Sequence, residues 1–177
     1  AQDVLPVGAV DMLDEIDFDR NAYVFGIHHY EELIATIRVH YVTPDHRVCQ
    51  STGVFPDAVH AFLDAGMTLI DPARFAVDPA VVAELPTIPY ITLRPSIMAA
   101  IHFDADRVLQ HIRPPHASFY KRIFLADIVV PPTMAGIYGF VRHRKIDPAT
   151  GAGKLYLVGL VLAVATSFTV SSTGGLN

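Results

Sequence analysis

The sequence predicts a single α/β domain built on a sheet of mixed strand pairing, and three observations carry that expectation. A chain of 177 residues with 51% hydrophobic and 18% charged content is long enough to bury one core and short for two. Its apolar segments switch between strand-like alternation and helical spacing, in the order β-β-α-β-α-β-α-β-β. The first two strands are joined by a tight turn, so they pair as a hairpin and the sheet is not a doubly wound parallel one.

The elements are taken in chain order. "AYVFGIH" (22–28) and "LIATIRVHYV" (33–42) are the hairpin strands, with "HYEE" as their turn. On the second strand Leu33, Ala35, Ile37, Val39 and Tyr41 share one face, and Ile34, Thr36, Arg38 and His40 the other. "TPDHRVCQSTG" (43–53) is expected as a loop, and "FPDAVHAFLDAG" as a short helix that Gly66 stops. "MTLIDPARFAV" is the third strand and "DPAVVAELPTIP" a connector. "YITLRPSIMAAIHFD" reads as a helix with Ile97, Met98 and Ile101 on its apolar stripe, and Pro95 in its first turn or at a kink. "DRVLQHIR" (106–113) is the fourth strand, and "PPHASFYKRIF" a helix that opens on prolines. "AGIYGFVRH" and "KLYLVGLVLA" flank "DPATGAG" as a closing hairpin.

Composition narrows the function. The formal net charge is -5 and no basic block occurs, so a nucleic-acid footprint is not expected. The N-terminal stretch lacks a basic segment followed by an apolar one, so no secretory signal is expected, and the single cysteine, Cys49, fits a cytoplasmic chain. The apolar run 155–170 is shorter than the roughly 20 residues of a spanning helix, so strands are favoured there over membrane contact. None of the nine histidines falls in a ligand motif, and no metal site is expected. Cys49 has no local signature of a nucleophile. No glycine-rich phosphate loop occurs.

The polar residues on strands are more telling. "IDPARFAVDP" (70–79) reads as a half-buried strand, yet it carries Asp71 and Arg74 at a spacing that puts them on opposite faces. A β-bulge near Pro72 and Ala73 re-aims the residues beyond it and brings both to one side. Such a bulge is also expected to interrupt pairing with the next strand and to open a slot there. Arg38 and Arg74 need carboxylate partners if buried, and Asp17, Asp19 and Asp71 are the candidates. The cluster is either a network that only holds the sheet or a clamp for a polar substrate at a cleft mouth.

"EIDFDRNAYVF", "LIATIRVH", "IDPARFAVDP", "PYITLRPSIMAAIHF" and "RPPHASFYKRIF" occur in this order. Together they resemble the N-acyl amino acid synthases of the GNAT superfamily, relatives of the acyl-homoserine-lactone synthases. The resemblance covers roughly residues 13–130 of a single domain spanning 1–177. The acid-x-x-Arg-Phe-x-Val motif at 71–77 is its most specific part, and the segment at 113–120 points to the N-acyl amino acid branch. The family's N-terminal helix has no match in residues 1–10.

The resemblance implies a GNAT-like fold, with a mixed, mostly antiparallel central sheet and helices on both sides. It implies transfer of a fatty-acyl group from an acyl carrier protein thioester, carried on phosphopantetheine, to the α-amine of an amino acid, with no bound cofactor. Asp71, Arg74 and Tyr120 are then expected as catalytic residues, Asp71 as the base and Tyr120 as an acid. Asp17, Asp19, Arg38 and Phe75 are expected to bind substrate. Ile97, Met98 and Ile101 would line an acyl tunnel between helix and sheet. Carrier proteins are acidic, so docking is expected on Arg113, Lys121 and Arg122, with Arg142, Arg144 and Lys145 as a second basic cluster. The alternatives are an acyl-homoserine-lactone synthase using S-adenosylmethionine, and an inactive acyl-binding or scaffold domain.

Overall fold

The computed structural model describes residues 14–112, 117–124, 126–130, 139–142 and 168–172. A short 3-10 turn, Glu15–Phe18, leads into strands β1 (Ala22–His29) and β2 (Glu32–Val42). Helices α1 (Gln50–Val54) and α2 (Pro56–Asp64) precede β3 (Leu69–Val77). Then come α3 (Pro79–Glu84), α4 (Ile88–His102), β4 (Arg107–Ile112), α5 (Ala117–Phe124), β5 (Asp127–Val130), β6 (Gly139–Arg142) and β7 (Phe168–Ser172). The described strands form one sheet in the order β5-β6-β4-β3-β2-β1-β7. All neighbours pair antiparallel except β3 and β4.

The β1–β2 hairpin closes on a two-residue turn in which Tyr30 takes the left-handed conformation at φ 54°. Gly66, at φ 77°, ends α2 as its position implies. The two faces of β2 are dressed as their alternation requires. Ala35, Ile37 and Val39 join Ile70, Val108 and the inner residues of α4, Ile88, Ile91 and Leu93, in the larger core. On the opposite face Val42, Leu69 and Leu109 pack with Val59 and Leu63 of α2 and with Cys49. Helices therefore cover both sides of the sheet. The α4 end is fixed by Phe103, whose ring stacks on Tyr41 at 4.3 Å.

The structure departs from expectation at four elements. Residues 50–54 form α1 rather than loop, because Asp71 caps their first turn from the sheet. Residues 79–84 form a short helix where a connector was expected; Asp78 caps it by accepting from the Ala80 N–H, and Pro79 suits its first turn. Pro95 lies inside α4, buried, and not in its first turn. Strand β6 is flanked by β4 and β5 on its two edges, so the expected closing hairpin does not form through it. The second run of that hairpin, 154–163, lies outside the described residues.

One feature of the sheet positions the site. The parallel strands β3 and β4 are stitched together at their starts. The Thr68 N–H donates to the Asp106 carboxylate at 2.9 Å, and the Asp106 and Arg107 N–H groups donate back to the Thr68 carbonyl. Pairing then continues only through Leu69 with Arg107 and Ile70 with Val108. Beyond that point β3 runs on to Val77 and β4 to Ile112 without a common ladder. The middle of the sheet therefore has an unladdered slot between the two strands from Asp71 onward.

Candidate active site

Asp71 is the first residue of β3 beyond the last paired position, so the charged cluster sits where the slot begins. Thr36 of β2 faces Ala76, and Arg38 faces Ala73. One residue, Ile37, therefore spans two, Arg74 and Phe75. This is the expected β-bulge, displaced from Pro72 and Ala73 toward the motif's Arg-Phe. Arg74 adopts φ 53°, a conformation that costs a side-chain-bearing residue about 1–2 kcal/mol. The bulge turns the Arg74 side chain onto the face that carries Arg38, His40 and Asp71.

There the two arginines share two carboxylates. Arg38, fully buried, donates through Nη1 to Asp17 Oδ1 and, at 3.4 Å, to Asp14 Oδ1. Its Nη2 donates to Gln50 Oε1 at 2.8 Å. Arg74 donates through Nη2 to Asp14 Oδ2 at 2.8 Å and to Asp17 Oδ2 at 3.2 Å. Asp14 and Asp17 lie side by side because they form a capping box on the 3-10 turn: each carboxylate accepts the other's backbone N–H. Burial pushes the Asp17 carboxyl up. The Asp14 N–H and the Arg38 charge and hydrogen bond, with a smaller contribution from Arg74, outweigh that and hold it below the usual range.

Asp19 does not join this cluster. It lies past the turn in extended backbone and accepts from His46 Nε2 at 2.7 Å, while Arg20 donates to His46 Nδ1 at 3.2 Å. The expected pair of Asp17 and Asp19 is thus divided. Asp14, which sequence reasoning passed over, takes the second place. The signal for it was available, since acids three residues apart before a strand fit a capped turn.

Asp71 is fully buried and held by α1: Ser51 donates its backbone N–H at 2.9 Å and its hydroxyl to the two carboxylate oxygens. Asp71 is thus enclosed between β3 and α1, with both carboxylate oxygens taken up by Ser51. Gln50 and Ser51 join Asp71 to Arg38 through one turn of helix. His40, opposite Asp71 on β2, is fully buried; its Nε2 donates to the Ile16 carbonyl at 3.0 Å. Burial pushes its pKa down, so the ring is neutral. Cys49 is pushed up to about 12 by burial and the neighbouring Asp71 charge, which keeps it a thiol and fits its reading as a bystander.

The remaining expected residues are dispersed. Ile97 is buried on α4, but Met98 and Ile101 are 51% and 56% exposed, so they do not line a tunnel between helix and sheet. The helix is apolar on nearly every side, and its apolar residues alone did not reveal which stripe turns inward. That stripe runs through Ile88, Thr92, Ser96 and Ala99. Phe75 is partly exposed beside Arg74 on the bulge. Tyr120 packs against Ile112 of β4 and Ala126, and burial pushes its hydroxyl up to about 12. Lys121 and Arg122 are exposed on α5, whereas Arg113, Arg144 and Lys145 lie outside the described residues, as does the side chain of Arg142. Among the described residues no cluster of metal-ligating side chains occurs. No described helix is long and apolar enough to cross a membrane.

A mixed sheet with helices on both faces, parted between two parallel central strands beside a bulge, is the acyltransferase architecture of the GNAT fold. A solved structure titled "The structure of FeeM, an N-acyl amino acid synthase from uncultured soil microbes" shares it. It matches with a TM-score of 0.60 at 18% identity over 72% of this chain and 74% of that one. No curated protein sequence matches the chain. The family model "N-acyl amino acid synthase FeeM" matches residues 7–139. The chain belongs to that family and is an acyltransferase that acts on nitrogen.

Proposed function

We propose that the chain moves a fatty-acyl group from an acyl carrier protein thioester to the α-amine of an amino acid. The observation that carries this reading is the slot between β3 and β4, which opens immediately beside the bulge and its charged cluster. Past Ile70, the β3 edge that faces β4 has no ladder partner there. Backbone donors on that edge would receive the thioester oxygen, and they stabilise it more strongly as charge builds on it during attack. The amine nitrogen bonds to the thioester carbon, the carbon–sulfur bond breaks, and the thiol leaves on the carrier. Asp14, the most exposed carboxylate of the cluster, would take the ammonium's extra proton before attack, and the proton that the nitrogen sheds on bond formation goes to the departing sulfur. Asp71 and Arg38 act as positioning residues that hold the bulge and the 3-10 turn in register.

The exposed Lys121 and Arg122 on α5 offer a docking point for the acidic carrier. Their helix comes directly after β4, whose Ile112 packs on Tyr120.

Co-expression with a host's carrier-protein pool, then lipid extraction and mass spectrometry, tests the reading. N-acyl amino acids in the extract support it. Acyl lactones would instead make the chain a lactone synthase that uses S-adenosylmethionine. An extract unchanged from that of the empty host would leave an acyl-binding scaffold as the better account.

A further inference from the structure

We propose that Arg74 anchors the acceptor's α-carboxylate, so that this site selects amines bearing a free acid on the adjacent carbon. The inference rests on the N-acyltransfer reading above and narrows its acceptor.

Three observations converge on Arg74. The first is backbone conformation. Arg74 sits at φ 53° in the bulge, where glycine is at ease and an L-residue is strained. Strain of this kind persists where a side chain is needed at that spot. The second is the unused part of the guanidinium. Both bonds to Asp14 and Asp17 leave from Nη2, so Nε and Nη1 are not committed to them, and the side chain is 37% exposed. Its remaining donors form part of a planar fork suited to a carboxylate. The third is the division of labour with Arg38. Asp17 is already paired by Arg38, which is fully buried and has no exposed surface for a ligand. Arg74 is the arginine of the cluster that faces outward, on the strand that lines the slot.

The charges fit a zwitterion. Among the ion-paired groups Arg38 and Arg74 balance Asp14 and Asp17, while Asp71 lies enclosed under Ser51, and an amino acid adds an acid toward Arg74 and an ammonium toward the partly exposed Asp14 without changing the sum. Anchoring the acid also sets the amine one carbon away, at the part of β3 where pairing with β4 has ended.

The test compares acceptors that share one side chain: the amino acid, its α-carboxamide and the decarboxylated amine. Each is assayed with the purified chain and a fatty-acyl thioester presented on carrier protein and on coenzyme A. The wild type is expected to prefer the acid roughly 10- to 100-fold in kcat/KM, the range of a charged hydrogen bond. Arg74→Gly removes the guanidinium and relieves the backbone strain, so it is expected to fold with an undiminished thermal midpoint and to bring that ratio close to one. Arg74→Lys keeps the charge without the fork and is expected to fall between. A folded Arg74→Gly that keeps the wild-type ratio, or a wild type indifferent to the carboxylate while acylating all three amines, would overturn the anchor and leave N-acyltransfer standing. No amide from any of the three would overturn both.

Discussion

Arg38 and Arg74 reach the same two carboxylates, yet their loss has unequal consequences. Arg38 has no exposed surface and Asp17 very little, so Arg38→Ala leaves Asp17 with only the partly exposed Arg74, takes the partner from Gln50 and empties a buried volume, and is expected to cost about 3 kcal/mol in a urea titration. Arg74 is exposed enough that its ion pairs contribute about 0–1 kcal/mol, not the larger sum a buried pair would give. His40, buried and within the fields of Arg38, Asp71 and Asp19, is expected to contribute to acid sensitivity. Its folded pKa lies below the ordinary 6.5 of the unfolded chain, so the unfolded state binds the proton first. Its contribution is complete above pH 6.5 and is lost as pH falls through the folded value. Asp17 and Asp19, also lowered, add their losses only below 3.8. Urea midpoints between pH 7.5 and 5 are expected to fall less steeply for His40→Gln than for the wild type; parallel slopes would show that another histidine is responsible. The arginines and the bulge were legible because a charge on a half-buried strand must find a partner. Asp14 was overlooked because strand alternation does not describe its turn, although acids three residues apart ahead of β1 mark a capped one.

At the scale of elements, the proposed chemistry turns on β3 and β4, whose ladder ends after Ile70 and Val108. The sequence signalled this through Pro72, which has no N–H for a ladder, and through the odd spacing of Asp71 and Arg74. Long, alternating strands such as β2 were also legible, since one face must be apolar and the other must not. Helix α1 was not, because five residues with no apolar period form a helix only when Asp71 caps them from another element. Helix α4 misled in its facing for the opposite reason: too many of its positions are apolar. Its outer residues are therefore expected to be silent in specificity. Ile101→Trp should leave the acyl chain-length profile of the product unchanged, as read by mass spectrometry. A shift toward shorter chains would bring that outer surface back into the donor site.

At the scale of the whole molecule, the proposed carrier-protein donor, itself acidic, would have to dock on a local basic patch of this acidic chain. If α5 is that patch, Lys121→Glu with Arg122→Glu slows association and flattens its dependence on salt, while turnover at saturating donor changes little. Stopped-flow association across ionic strength reads this directly, and an unchanged rate and salt profile would move the dock to another face. The family and fold account for an acyltransferase, and the proposed meeting point of acyl group and amine is where the β3–β4 ladder ends. The most direct test is a single-turnover reaction of purified chain, fatty-acyl carrier protein and amino acid, monitored for amide by mass and for free thiol together. Amide and thiol are expected to appear at the same rate and in equal amounts. Thiol released without amide would mean that water, not an amine, occupies the site, and would contradict N-acyltransfer at this slot.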